Sequence, residues 1–216
     1  MSNPPSPNFG PRRDGLLPSL IVLHYTAMAS CAEARARLCN PAHEVSAHWL
    51  ISETGQVEAL VAEDMRAWHA GVGEWAGQSD INSRSIGIEL ANSGAQPFAE
   101  PQMAALEQLL GDIMQRWAIP SENVIAHSDM APGRKSDPGP RFDWRRLALA
   151  GLSIWPDAPG NPDAPLDLSL DSIGYPPSTE RLTAFRLRFR PWAQGVESPK
   201  DRAMADAVAR LTRETA

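Results

Sequence analysis

With 216 residues and a formal net charge of −6, the chain has room for one core of ordinary size plus a small addition, and it lacks the basic surplus that tracks nucleic-acid phosphates. No stretch approaches the roughly 20 consecutive apolar residues that span a bilayer. The start, Met1-Ser2-Asn3-Pro4-Pro5-Ser6-Pro7, has neither the charged nor the apolar region of a secretory signal. The expected compartment is therefore the cytoplasm, with the periplasm or envelope as the alternative if another route exports the chain. Its two cysteines, Cys31 and Cys39, fall about two turns apart in a predicted helix and read as ordinary thiols rather than a redox pair, a disulfide or extra metal ligands.

Residues up to about 18 carry proline, glycine and asparagine without periodicity and read as a lead-in that wraps the domain. Residues 20–24 form a buried strand by composition, and 30–38 a helix that ends near Asn40-Pro41, where proline cannot continue it. Segments 45–52 and 57–62 flank Glu53-Thr54-Gly55-Gln56 and predict a hairpin. In 85–91, Ile86, Ile88 and Leu90 share one face while Gly87 and Glu89 point to the other, so a strand aims Glu89. Residues 101–117 repeat apolar side chains at helical spacing (Met103, Leu106, Leu110, Ile113, Trp117), and 124–127 supply another short strand. The expected fold class is α/β (mixed α+β), a central mixed β-sheet flanked by helices with a small C-terminal all-helical appendage.

From 155 to 177 the prolines Pro156, Pro159, Pro162, Pro165, Pro176 and Pro177 enforce an extended connection with a short helical interruption. Beyond it, Leu182, Phe185 and Phe189 share one helical face, and Met204, Val208 and Leu211 another. The predicted organisation is a main domain over 1–152, a proline-rich linker over 153–177 and a small helical module over 178–216. Alone, helices of this size bury little, so they are expected to dock on the main domain or form a minimal module.

Three potential metal ligands sit where backbone geometry would hold them. His24 closes the run Leu20-Ile21-Val22-Leu23, His127 closes Val124-Ile125-Ala126, and Asp137 lies in Gly133-Arg134-Lys135-Ser136-Asp137-Pro138-Gly139. Two imidazoles and a carboxylate leave a tetrahedral zinc ion with an open fourth position, the arrangement of a site that activates water. Glu89 could accept a proton from that water, and Lys135 could stabilise an oxyanion. Each residue also has a structural reading: a satisfied histidine at a strand end, a turn-stabilising Asp137, a solvated Lys135, a Glu89 paired with Arg84. Of the other histidines, His43 is expected exposed, and His48 either lines the cleft or packs inside. His69, within Ala67-Trp68-His69-Ala70-Gly71, is expected to contact substrate. Zinc is inferred from ligand type, and other divalent ions suit such a set in vitro.

The ordered segments Leu23-His24-Tyr25-Thr26, Ser46-Ala47-His48-Trp49, Ala67-Trp68-His69-Ala70-Gly71, Ser85-Ile86-Gly87-Ile88-Glu89, Ala126-His127-Ser128-Asp129 and Gly133-Arg134-Lys135-Ser136-Asp137-Pro138-Gly139 together resemble the type 2 N-acetylmuramoyl-L-alanine amidases over about residues 18–150. That family includes the cytoplasmic anhydro-muropeptide amidase of cell-wall recycling, its envelope-bound relatives and the peptidoglycan recognition proteins. The resemblance implies zinc-dependent hydrolysis of the amide between the lactyl group of N-acetylmuramic acid and the L-alanine of the stem peptide. It further implies His24, His127 and Asp137 as metal ligands, Glu89 as general base and Lys135 as transition-state stabiliser. Trp68, His69 and Trp75 are the expected sugar-binding wall, since aromatic faces suit the apolar face of a sugar ring, and His48 is a further candidate for substrate binding. The expected partners are anhydro-muropeptides in recycling, with intact murein as the alternative. A non-catalytic muropeptide-binding protein is disfavoured because the ligand set is complete. The tail resembles the small three-helix peptidoglycan-binding module of the envelope-bound relatives, with a shortened, proline-flanked first helix; polymer binding and a structural role as a docked appendage are both open.

Overall fold

The computed structural model describes residues 5–214. The lead-in supplies β1 (Phe9–Pro11), and the central strand β2 (Leu20–Tyr25) follows. Next come α1 (Cys31–Leu38), β3 (Trp49–Ile51), β4 (Val57–Ala59), β5 (Met65–Ala67), the single turn α2 (Ile81–Arg84) and β6 (Ser85–Leu90). The long helix α3 (Glu100–Trp117), β7 (Val124–Ala126), the short α4 (His127–Met130) and α5 (Trp144–Leu149) precede the tail, which contains α6 (Leu166–Ile173), α7 (Arg181–Phe189) and α8 (Pro199–Glu214).

Five strands form one sheet in the order β4-β3-β6-β2-β7, antiparallel between β3 and β4 and parallel elsewhere. The mixed sheet and its flanking helices match the expected class. Strands β2 and β6 lie inside the sheet, which is why both read as nearly unbroken apolar runs. A separate antiparallel pair, β1 with β5, ties the lead-in to the main body. These two strands escape sequence reading because Phe9-Gly10-Pro11 and Met65-Arg66-Ala67 are short and, unlike Val124-Ile125-Ala126, form no apolar run. Arg12 reinforces the tie, donating to the backbone carbonyls of Glu63 and Ser83 at 2.7 and 2.9 Å.

The two faces of β2 bury different layers. Ile21 and Leu23 pack with Met103, Leu106, Leu110 and Ile113 of α3 and with Trp144 and Leu147 of α5. Leu20 and Val22 pack instead with Leu170, Ile173, Phe185 and Val208 of the tail. Each fully buried side chain of this kind contributes roughly 1.5–3 kcal/mol. Helix α3 carries apolar residues on one stripe and stops at Ala118, which adopts φ 52° and turns the chain out. Helix α1 begins at Ser30, whose hydroxyl accepts the Glu33 N–H at 3.2 Å. Cys31 and Cys39 are free and half-buried, the ordinary thiols expected.

The tail also reaches the sheet's edge through polar contacts. Tyr175 donates its hydroxyl to Asp129 at 2.7 Å and Arg188 donates to the other Asp129 oxygen at 2.9 Å, all three residues being buried. The Arg188 guanidinium lies 4.2 Å over the Trp144 ring. The first tail helix, α6, falls inside the proline-rich stretch and packs chiefly against α8.

Candidate active site

Parallel pairing sets the site. On neighbouring strands His24 is in register with Glu89, and Leu23 with Ala126, so His24, Glu89 and His127 all emerge at the carboxyl edge of the sheet. His127 differs from expectation in one respect, for it opens α4 rather than closing the strand. The reason is Asp129, whose carboxylate accepts the Ala126 N–H at 2.9 Å and starts a helical turn there. Ser128 N–H then bonds the Asp137 carbonyl at 3.0 Å, folding the following loop back so that Asp137 faces the two histidines.

Three donor atoms converge. His24 Nδ1 lies 2.9 Å from His127 Nδ1 and 2.9 Å from Asp137 Oδ2, and His127 Nδ1 lies 3.0 Å from the same oxygen. Among the described residues this is the one group of His, Cys, Asp and Glu side chains close enough to hold a metal ion. His127 Nε2 faces the Ala70 carbonyl at 2.9 Å; a carbonyl only accepts, so Nε2 carries a hydrogen and Nδ1 is the atom turned inward as a potential ligand. Burial, with the neighbouring His127, lowers the His24 pKa to about 4. Burial alone would raise the Asp137 carboxyl, but the two imidazoles packed against it outweigh burial and hold the group well below the usual carboxylate range. A neutral imidazole beside an ionised carboxylate is what a divalent cation requires of its ligands, so the residues fit a zinc ion.

A cavity of about 380 Å³ opens beside them, lined also by Glu89, Lys135, Trp68 and His69. Glu89 is half-buried and its Oε2 has no hydrogen-bond partner. Arg84, its conceivable structural partner, donates to the Ser79 carbonyl instead. Burial first, and then the charge of Asp137, raise the Glu89 pKa to about 8, with Lys135 opposing. Because the folded value lies above the ordinary 4.5, this group's contribution to stability is complete below about 4.5 and is lost as pH rises through about 8. A bound dication would pull the carboxyl down again. In chelated protein, Glu89→Gln is therefore expected to gain stability relative to wild type as pH rises from 5 to 9. Urea midpoints at matched pH read this directly, and a difference that stays flat across the window would contradict the raised pKa.

A family model for N-acetylmuramoyl-L-alanine amidase matches residues 14–140. The chain belongs to the N-acetylmuramoyl-L-alanine amidase family. As an amidase it hydrolyses an amide bond. It is 36% identical to N-acetylmuramoyl-L-alanine amidase AmiD of Escherichia coli, over 88% of this chain and 81% of that one. It is 34% identical to 1,6-anhydro-N-acetylmuramyl-L-alanine amidase AmpD of Citrobacter freundii, over 66% of this chain and 86% of that one. Among solved structures, E. coli AmiD in complex with anhydro-N-acetylmuramic acid-L-Ala-D-gamma-Glu-L-Lys superimposes with a TM-score of 0.82 at 32% identity, covering 98% of this chain and 92% of that one. AmpDH3 of Pseudomonas aeruginosa in complex with anhydromuramic pentapeptide gives 0.79 at 32% identity, covering 90% and 92%.

The remaining expected substrate residues of the amidase separate. Trp68 and His69 line the cavity. Trp75 does not: it is 5% exposed, packs edge-on against Tyr175 at 5.1 Å and belongs to the apolar layer shared with the tail. His48 is fully buried beneath the strands, accepting the Gly87 N–H at Nδ1 (2.9 Å) and donating from Nε2 to the Met65 carbonyl (3.1 Å). Burial lowers its pKa to about 3, so it is a neutral structural link between β6 and β5. Arg134 was not singled out by the sequence reading. Its guanidinium borders the cavity and donates to the Ala70 and Val72 carbonyls at 2.6 and 2.5 Å, joining the two loops that frame the site. Its adjacency to Lys135 was the available signal. Among the described residues no helix is long and apolar enough to cross a membrane.

Proposed function

We propose that the chain is a zinc-dependent amidase that cleaves the bond between the lactyl group of (anhydro-)N-acetylmuramic acid and the L-alanine of the stem peptide, in cell-wall recycling. The observation that carries the reading is the convergence of His24 Nδ1, His127 Nδ1 and Asp137 Oδ2 within 3.0 Å of one another at the floor of an open cavity. These three residues would hold the ion. When bound, zinc supplies Lewis acidity, acidifying water and polarising the scissile carbonyl. Glu89 takes the proton from the attacking water as its oxygen bonds to the carbonyl carbon. Lys135 donates to the developing oxyanion, and Glu89 then passes the proton to the departing L-alanine nitrogen as the C–N bond breaks. Trp68 offers an indole face to the sugar. The substrate named for the AmiD complex and the ligand named for the AmpDH3 complex, both anhydro-muramyl peptides, support this substrate class.

The division into an amidase unit over 1–152, a proline-rich stretch over 153–177 and helices over 178–216 belongs to this reading, as does a cytoplasmic compartment. A second reading, action on intact murein in the envelope, is favoured by the helical tail, α6 to α8, which resembles a peptidoglycan-binding module. Mass spectrometry of digests of purified anhydro-muramyl tripeptide and of murein sacculi, with and without chelator, tests both. Chelator-sensitive release of free peptide from the soluble substrate alone is the expected result. Comparable cleavage of sacculi would favour the envelope reading, and chelator-insensitive cleavage would remove zinc from the mechanism.

A further inference from the structure

The hydrogen bonds behind the metal donors point to a role for His69 different from the substrate contact its sequence suggests. Starting from the far end, the Ser85 hydroxyl lies 2.6 Å from the Ile81 carbonyl, which can only accept, so the hydroxyl hydrogen is spent there. Ser85 Oγ must therefore accept from His69 Nε2 at 3.1 Å. A neutral His69 with its hydrogen on Nε2 presents a lone pair at Nδ1, which lies 3.0 Å from His24 Nε2. His24 must then carry its hydrogen on Nε2 and turn the Nδ1 lone pair toward His127 and Asp137. One direction of donation satisfies every partner in this chain, and it fixes the tautomer that a metal ligand needs.

The surroundings are built for this chain of contacts. His69 lies across β6 at Gly87, where a Cβ would overlap the imidazole ring. The backbone N–H groups of His69 and Ala70 both donate to Asn82 Oδ1, at 3.0 and 2.8 Å, holding the loop in place. Ser85 is fully buried and out of reach of the cavity.

We infer that His69, backed by Ser85, is a positioning residue that orients His24 and sets its tautomer for metal binding, as the Ala70 carbonyl does directly for His127. The inference rests on the metal site proposed above. Its measurement is zinc affinity in the full-length protein by competition with a chromophoric chelator, alongside kcat and KM on anhydro-muramyl tripeptide. His69→Leu, which removes the acceptor, is expected to bind zinc about 10–100-fold more weakly. His69→Asn, whose amide oxygen can stand at the Nδ1 position, is expected to recover most of that loss. Ser85→Ala carries the same prediction at smaller size and serves if His69→Leu does not fold. Wild-type zinc affinity in His69→Leu together with a raised KM would overturn the inference and restore His69 to the substrate wall. Absence of zinc binding by the wild type would instead defeat the metalloamidase reading itself.

Discussion

Glu89→Ala is expected to keep its zinc and lose about 10²–10⁴-fold in kcat, the usual contribution of a positioned general base, whereas His127→Ala is expected to lose both metal and turnover. The contrast follows from position. Glu89 stands beside His24 on the neighbouring strand but is not among the three converging donors, while His127 Nδ1 is one of them. Metal content by atomic emission, measured on the same preparations used for kinetics, separates the two effects. Wild-type turnover in Glu89→Ala would show that another group takes the proton from water. Stoichiometric zinc in His127→Ala would show that the ion sits elsewhere.

The second large effect is expected far from the cavity. Arg188→Ala strips a buried cation from Asp129, which is fully buried and whose other partners are the Tyr175 hydroxyl and the Ala126 N–H. Removing one partner of a buried ion pair typically costs about 3–5 kcal/mol, because the remaining charge is left uncompensated. In a chain of this length that corresponds to a fall of roughly 10 °C in Tm. Loss of the guanidinium stacked on Trp144 adds to it. Asp129 opens the turn bearing His127, so the unfolding midpoint of chelated protein should be recorded separately from zinc affinity. The double variant Asp129→Asn, Arg188→Met is expected to recover much of the stability by removing both charges. An unchanged midpoint in Arg188→Ala would mean that apolar packing of Phe185 and Val208 alone holds the tail to the sheet.

Much of the site was legible in the chain because strand ends and loop motifs restrict where a side chain can go. The alternation around Ile86, Ile88 and Leu90 assigned Glu89 to the opposite face, and the structure leaves it facing the cavity. The apolar stripe of Met103, Leu106, Leu110 and Ile113 identified α3, whose ends fall within a residue of the reading. Trp75 was placed in the cleft and His48 left open between cleft and core for a common reason. An aromatic or imidazole ring in a glycine-rich or alternating segment suits a cleft and a core equally well, and only the partner that arrives from elsewhere decides. For Trp75 that partner is Tyr175 in the tail; for His48 it is the backbone of Gly87 and Met65.

By itself, then, the sequence determined the class of fold, the principal strands and helices and the set of residues able to bind a metal, because periodicity and motif spacing are local properties of a chain. Tertiary structure alone decided that β2 and β6 run parallel with His24 beside Glu89, that the tail covers the face of the sheet carrying Leu20 and Val22, and that His69 meets His24 rather than standing free in the cavity. Periodicity tells which face a residue occupies but carries no label for the strand or helix that will be packed against it. That choice is made by burial and hydrogen bonding between segments far apart in the chain.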